Sequence, residues 1–98
     1  MSGTYDNLLA DLRALKPRMA ATYKVKAIGL FGSFVRGAQG LASDIDLLVD
    51  FEEGADLFDL VGLGLFLEQE LQRKVDVVPR TALREELREV VISEVVPV

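Results

Sequence analysis

Three short segments of the sequence carry residue types suited to phosphate and metal chemistry: Gly32-Ser33, Asp44 with Asp46, and Asp76. A glycine–serine turn can present backbone N–H groups to phosphate oxygens. Carboxylates at positions i and i+2 of a strand project to the same face because side chains alternate along a strand. A third carboxylate on another strand could complete a cage of oxygen ligands, which hard divalent cations prefer. In this order the residues predict a site that moves a nucleotidyl group.

Each of these features also has a purely structural explanation. Gly32-Ser33 could be an ordinary turn, because glycine adopts unusual backbone angles at little cost. Asp44 and Asp46 could be solvated residues at a strand mouth, although like charges on one face repel and a bound cation removes that repulsion. Asp76 could be an edge-strand charge that discourages aggregation. The occurrence of all three features in this order favours the chemical interpretation.

The strands that must position these residues are marked by apolar runs. A run over 25–31 predicts a strand that leads into the Gly32-Ser33 turn. The strongly apolar segment 44–51 predicts a second strand, and 74–78 predicts a third, ended by Pro79. The acids are therefore expected close together, near one mouth of a sheet.

Helices are expected before, between and after these strands. The first begins near Thr4, the second covers 56–73 with Asp56 as its N-cap, and Thr81 caps the last. The inner stripe of the second helix is predicted to comprise Leu57, Leu60, Val61, Gly64, Leu67 and Leu71. This order of elements predicts an α/β fold, a small mixed β-sheet flanked by helices, formed by residues 1–98 as a single domain.

Composition excludes several classes of chemistry. The 98 residues include no cysteine and no histidine, so thiolate or imidazole metal sites and histidine-based catalytic triads are excluded. The net charge of −5 argues against direct binding of nucleic acid, which requires a basic face. No segment is long and apolar enough to span a membrane, and no signal peptide is evident, so a cytoplasmic location is expected.

The phosphate turn and the acidic strand together match a known signature. Gly32-Ser33-Phe34-Val35-Arg36-Gly37, followed by Ser43-Asp44-Ile45-Asp46-Leu47, resembles the motif of the DNA polymerase beta-like nucleotidyltransferase superfamily. More narrowly, the chain is similar to minimal nucleotidyltransferase antitoxins, which consist of the catalytic domain alone. The resemblance implies that Asp44, Asp46 and Asp76 hold two magnesium ions and that Gly32 and Ser33 bind the triphosphate of ATP.

The implied mechanism is nucleotidyl transfer with pyrophosphate as the leaving group. The two strand acids would hold one ion at the triphosphate, and Asp76 would help to bind a second ion at the acceptor hydroxyl and take its proton. Arg36 matches the arginine of the extended motif. It either contacts phosphate through its guanidinium group or forms a salt bridge with Asp50 or Glu52.

Apolar residues outside the predicted inner stripe indicate a protein interface. These residues are Phe58, Leu65, Phe66 and the tail 95–98, although the tail could instead pack under the sheet as a last strand or helical turn. The antitoxins that the chain resembles bind an all-helical HEPN-domain ribonuclease and adenylylate one of its tyrosines. The resemblance therefore implies a hetero-oligomer with such a toxin.

Three functions remain open at this point. The chain could be an active enzyme that transfers AMP to a toxin tyrosine, or an inert module that neutralises its partner by occlusion. It could also be a nucleotidyltransferase that acts on a small molecule or RNA. The intact acids argue against the inert module, and the acidic net charge, with no second substrate domain, argues against the last.

Overall fold

The computed structural model describes residues 4–32, 35 and 44–98. Its helices are α1 (Thr4–Tyr23), α2 (Leu57–Leu71) and α3 (Glu85–Glu94), with a 3₁₀ turn at Arg80–Ala82. Its strands are β1 (Val25–Phe31), β2 (Ile45–Phe51), β3 (Val75–Pro79) and β4 (Val96–Pro97). Within these described ranges no helix has the length and apolar character that crossing a membrane requires.

The strands form one mixed sheet in the order β3-β2-β1-β4. Strand β1 pairs antiparallel with both β2 and β4, whereas β2 and β3 run parallel. A parallel pair needs a crossover connection, and α2 supplies it between β2 and β3. The α/β fold with a small mixed sheet and flanking helices is thus confirmed.

Both long helices cover the same face of the sheet. Leu8, Leu9, Leu12 and Met19 of α1 are buried against the alternate residues of β1 and β2 that point toward the helices. On β2 these alternate residues are Ile45, Leu47 and Val49, all fully buried. The opposite face of the sheet is consequently the one that carries the even-numbered residues of β2.

The inner stripe predicted for α2 is partly wrong. The buried residues are Leu63 and Leu67, whereas Leu57 and Val61 are exposed. A helix that is apolar on most sides does not reveal its buried face by periodicity alone. Two glycines of α2 mark its inward side, because a Cβ at Gly62 would meet the Tyr23 ring and one at Gly64 would touch Val77.

The N-cap of α2 is confirmed. The side chain of Asp56 accepts a hydrogen bond from the Asp59 N–H at 3.1 Å. Asp59 in turn accepts one from the Asp56 N–H at 3.0 Å, which completes a capping box. The cap predicted at Thr81 is wrong, since Thr81 lies in the 3₁₀ turn and α3 begins only at Glu85.

The C-terminal tail forms a strand rather than an exposed surface. Val96 pairs with Leu30, and the Val98 N–H donates to the Ile28 carbonyl at 3.0 Å. Val96 and Val98 are half-buried against the core. Of the two alternatives for the tail, packing as a last strand is the one found.

Candidate functional site

The sheet brings two of the three predicted acids side by side. Asp46 and Asp76 are Cα partners in the parallel pairing of β2 with β3. Paired residues of neighbouring strands point to the same face, so both carboxylates project from the face opposite the helices. Asp44 lies two residues before Asp46, just ahead of β2. The register therefore places Asp46 and Asp76 at the start of these strands, on the open face, whereas Asp44 precedes the paired residues.

Gly32, part of the predicted phosphate turn, lies directly against Asp46. Its φ of +82° lies in the left-handed region, and the Val35 N–H donates to its carbonyl at 3.1 Å, which closes a tight turn after β1. A Cβ built at Gly32 would collide with the carboxylate of Asp46. Only glycine therefore allows this backbone to lie directly against the acid, so a phosphate held by the turn would lie beside Asp46.

The start of β3 is held in place by a side chain that the sequence did not single out. The Val75 N–H donates to Oε2 of Glu68 at 3.1 Å. The Ile45 N–H donates to the Lys74 carbonyl at 3.0 Å, which ties the starts of β2 and β3 together. Glu68 was missed because an acid at this position of a helix is typical of a solvent-facing residue.

The exposure of the acids differs along the open face. Asp46 is half-buried, whereas Asp44 and Asp76 are exposed. Over 4–32, 35 and 44–98, no three acidic side chains are gathered closely enough to hold one metal ion. Shared metal binding by Asp44, Asp46 and Asp76 therefore stays a prediction. Ser33 and Arg36, predicted to contact the triphosphate, lie outside the described residues.

The donor set on this face nevertheless fits magnesium. Its side-chain ligands would all be carboxylate oxygens, which Mg²⁺ prefers, and Mg²⁺ is commonly held by one or two carboxylates together with substrate phosphates. The paired positions of Asp46 and Asp76, beside the Gly32 turn, would supply those carboxylates next to the phosphates.

A groove lies farther along the open face, beyond Asp46 in the direction in which β2 runs. It has a volume of about 200 Å³ and is lined by Ala27, Ile28, Gly29, Leu48, Asp50, Arg80, Val95 and Pro97. We call it the open-face groove. A larger cleft of about 500 Å³ lies at the far end of β2, around the loop 52–56. The cleft shares Asp50 and Arg80 with the open-face groove, and neither cavity is lined by any of the three predicted metal ligands.

Known proteins match most of the chain. The family model of the nucleotidyltransferase domain matches residues 12–97. The chain is 38% identical over 93 residues to protein adenylyltransferase MntA of Thermococcus cleftensis. This alignment covers 95% of the chain and 94% of the relative.

Solved structures show the same fold. One described as a candidate minimal nucleotidyltransferase superposes with a TM-score of 0.84 at 37% identity, covering 98% of this chain and all of that one. A toxin–antitoxin structure with AMP-PNP superposes with a TM-score of 0.68 at 26% identity, covering 97% of this chain and 72% of that one.

Proposed function

Because the chain belongs to the nucleotidyltransferase domain family, we propose that it transfers AMP from ATP to a tyrosine of a helical HEPN-type ribonuclease toxin and so neutralises it. The observation that carries the proposal is the register that pairs Asp46 with Asp76 beside the glycine turn. The relative named protein adenylyltransferase MntA supports the choice of AMP and of a protein acceptor.

In the proposed reaction the tyrosine oxygen attacks the α-phosphorus of ATP. The bond from this phosphorus to the bridging oxygen breaks, and pyrophosphate leaves. Asp76 accepts the phenolic proton, because the chain has no histidine to serve as a base. Magnesium, when bound, offsets the negative charge of the phosphates and of the leaving oxygen.

The residues around the acids have distinct roles in this proposal. Asp44 and Asp46 would hold a metal that neutralises the triphosphate, and Asp76 would contribute its carboxylate at the acceptor hydroxyl. Gly32 and Ser33 orient the terminal phosphates, so that the α-phosphorus lies in line with the acceptor. Arg36 contacts phosphate through its guanidinium group.

An exposed apolar surface supports a protein partner. Leu57, Phe58, Val61 and Leu65 lie exposed on α2, and we call them the α2 patch. Phe58 is 87% exposed, and a contiguous apolar surface is typical of an interaction site. Phe66 is excluded from this patch, because its ring is 5.4 Å from the Tyr23 ring and the Arg18 guanidinium lies 4.9 Å above it.

We therefore expect a hetero-oligomer in which the toxin contacts the α2 patch and presents its tyrosine at the open face. The acidic net charge would speed association with a basic ribonuclease more than it would strengthen the final complex. Residues 1–98 act in this proposal as one domain, in the cytoplasm, where ATP is available.

The proposal is tested with a HEPN-type partner, which is sought among the helical proteins encoded by reading frames next to that of this chain. The two proteins are incubated with magnesium and ATP labelled at the α-phosphate, and label on the partner is located by mass spectrometry. Label on a tyrosine supports the proposal. A tight, unlabelled complex that still inhibits the ribonuclease would favour occlusion, and label on RNA or a small molecule would favour the third function.

A further inference from the structure

The open-face groove begins two residues beyond Asp46 on the same face of β2. Leu48 forms its floor, and Asp50 lies at its far end. At roughly 3.3 Å per residue, Asp50 lies about 13 Å along the strand from Asp46. A nucleotide whose phosphates lie at Asp46 would extend its sugar and base along this face.

The groove extends along β2 beyond Asp46, whereas Asp76 lies beside Asp46 at the start of β3. Val95 and Pro97, next to β1, form one wall of the groove, and Arg80, which follows the far end of β3, also lines it. Gly29 makes this wall possible, because a Cβ there would be only 2.5 Å from Cγ2 of Val95. An acceptor that reaches Asp76 from the β3 edge would leave the groove free for the donor.

Two charged side chains flank the groove without partners of their own. Asp50 is half-buried and Arg80 is exposed, and neither side chain makes a hydrogen bond or ion pair within the described residues. A half-buried carboxylate without a donor is costly unless something supplies one. The exocyclic amine of adenine is such a donor.

We infer that the open-face groove binds the adenine base of the donor nucleotide. The ring lies on Leu48, the 6-amino group donates a hydrogen bond to Asp50, and the guanidinium of Arg80 stacks on the ring. The inference rests on the proposed function in one respect, namely that the donor is a nucleoside triphosphate. It adds to that function the residue that recognises the adenine base, Asp50.

The test is a thermodynamic cycle that combines a change in the protein, Asp50→Ala, with a change in the ligand, the loss of the 6-amino group. Dissociation constants with magnesium are measured by calorimetry for ATP and for purine riboside triphosphate, in which hydrogen replaces the 6-amino group. The wild-type protein should bind ATP about tenfold more tightly, as expected for a hydrogen bond to a charged group. Asp50→Ala should bind the two nucleotides equally.

Controls separate base recognition from general effects. Magnesium tripolyphosphate, which has no base, should bind the wild-type and Asp50→Ala proteins alike. Glu89→Ala removes the same charge from an exposed site on α3 and should keep the wild-type preference for ATP. Arg80→Gln should weaken both nucleotides by the same factor, because stacking does not depend on the amine. Thermal melts of each variant confirm that it is folded.

Two results would overturn the inference while leaving the proposed function intact. One is an equal affinity of the wild-type protein for both nucleotides, and the other is a preference for ATP that survives Asp50→Ala. If Asp50→Ala keeps that preference but loses transfer to the partner, the groove holds the acceptor instead. Failure of the wild-type protein to bind any of the three triphosphate ligands would overturn the inference and the proposed function together.

Discussion

The carboxylate of Glu68 accepts a hydrogen bond from the backbone N–H of Val75, with 3.1 Å between Oε2 and N. Val75 is the first residue of β3, and Asp76 follows it. A helix side chain thus fixes the start of the strand that carries one of the three acids. Asp76 owes its position beside Asp46 partly to this contact.

Glu68→Ala should destabilise the fold and reduce transfer. The loss leaves a part-buried N–H without its acceptor, which costs about 1–3 kcal/mol of unfolding free energy. In a chain of this size each kcal/mol lowers Tm by roughly 4–8 °C. Glu70→Ala is the matched control, since its exposed pair with Arg18 should contribute less than about 1 kcal/mol. Equal Tm values for the two variants would show that the Glu68 contact is dispensable.

Gly32→Ala should abolish transfer, whereas Gly54→Ala should preserve it. Both glycines have positive φ, +82° and +94°, so alanine should cost each about 1–2 kcal/mol through the backbone. Only at Gly32 does the added Cβ collide with the Asp46 carboxylate, and Gly54 has open space around it. Thermal melts measure the destabilisation that both variants share because alanine is unfavourable at positive φ. The transfer assay then shows the loss of activity that displacement of the Asp46 carboxylate causes in Gly32→Ala alone. Similar activities for the two variants would contradict the arrangement.

Removal of a strand acid should stop the chemistry without unfolding the protein. Asp44→Ala and Asp46→Ala each remove a proposed metal ligand, and we expect transfer to fall by at least about a hundredfold, since charge stabilisation by the metal is worth several kcal/mol. Label transfer from ATP is the measurement, and Asp11→Ala, an exposed acid on α1, is the control. Full activity of both strand variants would make these acids structural.

The α2 patch should be required for partner binding. Phe58→Glu or Leu65→Glu places a charge on an apolar surface that is exposed in the isolated chain, so the complex should weaken while the fold is unaffected. Co-purification and calorimetric titration with the partner measure the loss. Gln69→Glu adds the same charge to an exposed position of α2 outside the patch and should bind normally. If all three variants bind equally, the partner contacts another surface.

Asp59 should make stability depend on pH in the acid range. The N–H of Asp56, and secondarily the Lys24 ammonium, hold the pKa of Asp59 below its ordinary value. The contribution of the ionised Asp59 side chain to the free energy of unfolding is therefore complete above the pKa of aspartate in the unfolded chain, about 3.9. This contribution is lost as the pH falls through the lower pKa of Asp59 in the folded protein.

Wild-type Tm should consequently exceed that of Asp59→Asn at pH 6, and the difference should shrink toward pH 2–3. Asp11→Asn, on an exposed position of α1, should follow the wild-type curve. A difference between wild type and Asp59→Asn that does not change with pH would assign the effect to geometry rather than charge.

Much of the fold could be predicted because its signals are local. The apolar strand 44–51 and the cap at Asp56 depend on neighbouring residues, and the structure confirms both. The face of α2 could not be predicted, because a helix apolar on most sides is oriented by tertiary contacts such as Gly62 against Tyr23. The pairing of the tail with β1 was undecided for the same reason, since a short apolar segment suits a strand or an interface equally.

For the candidate site, the spacing of Asp44 and Asp46 predicted a shared face. The buried Ile45 and Leu47 on either side of Asp46 place Asp46 on the open face, and the same orientation for Asp44, which precedes β2, stays a prediction. The role of Glu68 could not be predicted, because its partner is a backbone N–H seven residues away on another element. The sequence also gave no indication of the open-face groove, whose walls come from three separate strands and the chain after β3.

The parallel pairing of β2 with β3 has a kinetic consequence. Gly32 and Asp46 meet through an antiparallel pair of neighbouring strands, but Asp76 reaches them only when α2 has crossed over and docked. Contacts between residues far apart in the chain form late, because closing the intervening loop costs entropy first. During synthesis, a ribosome-bound chain that ends before residue 75 can carry the phosphate turn and two acids, yet it lacks the third. The ability of this site to bind and transfer a nucleotide should therefore appear abruptly, near the end of folding, rather than increase gradually as the chain lengthens.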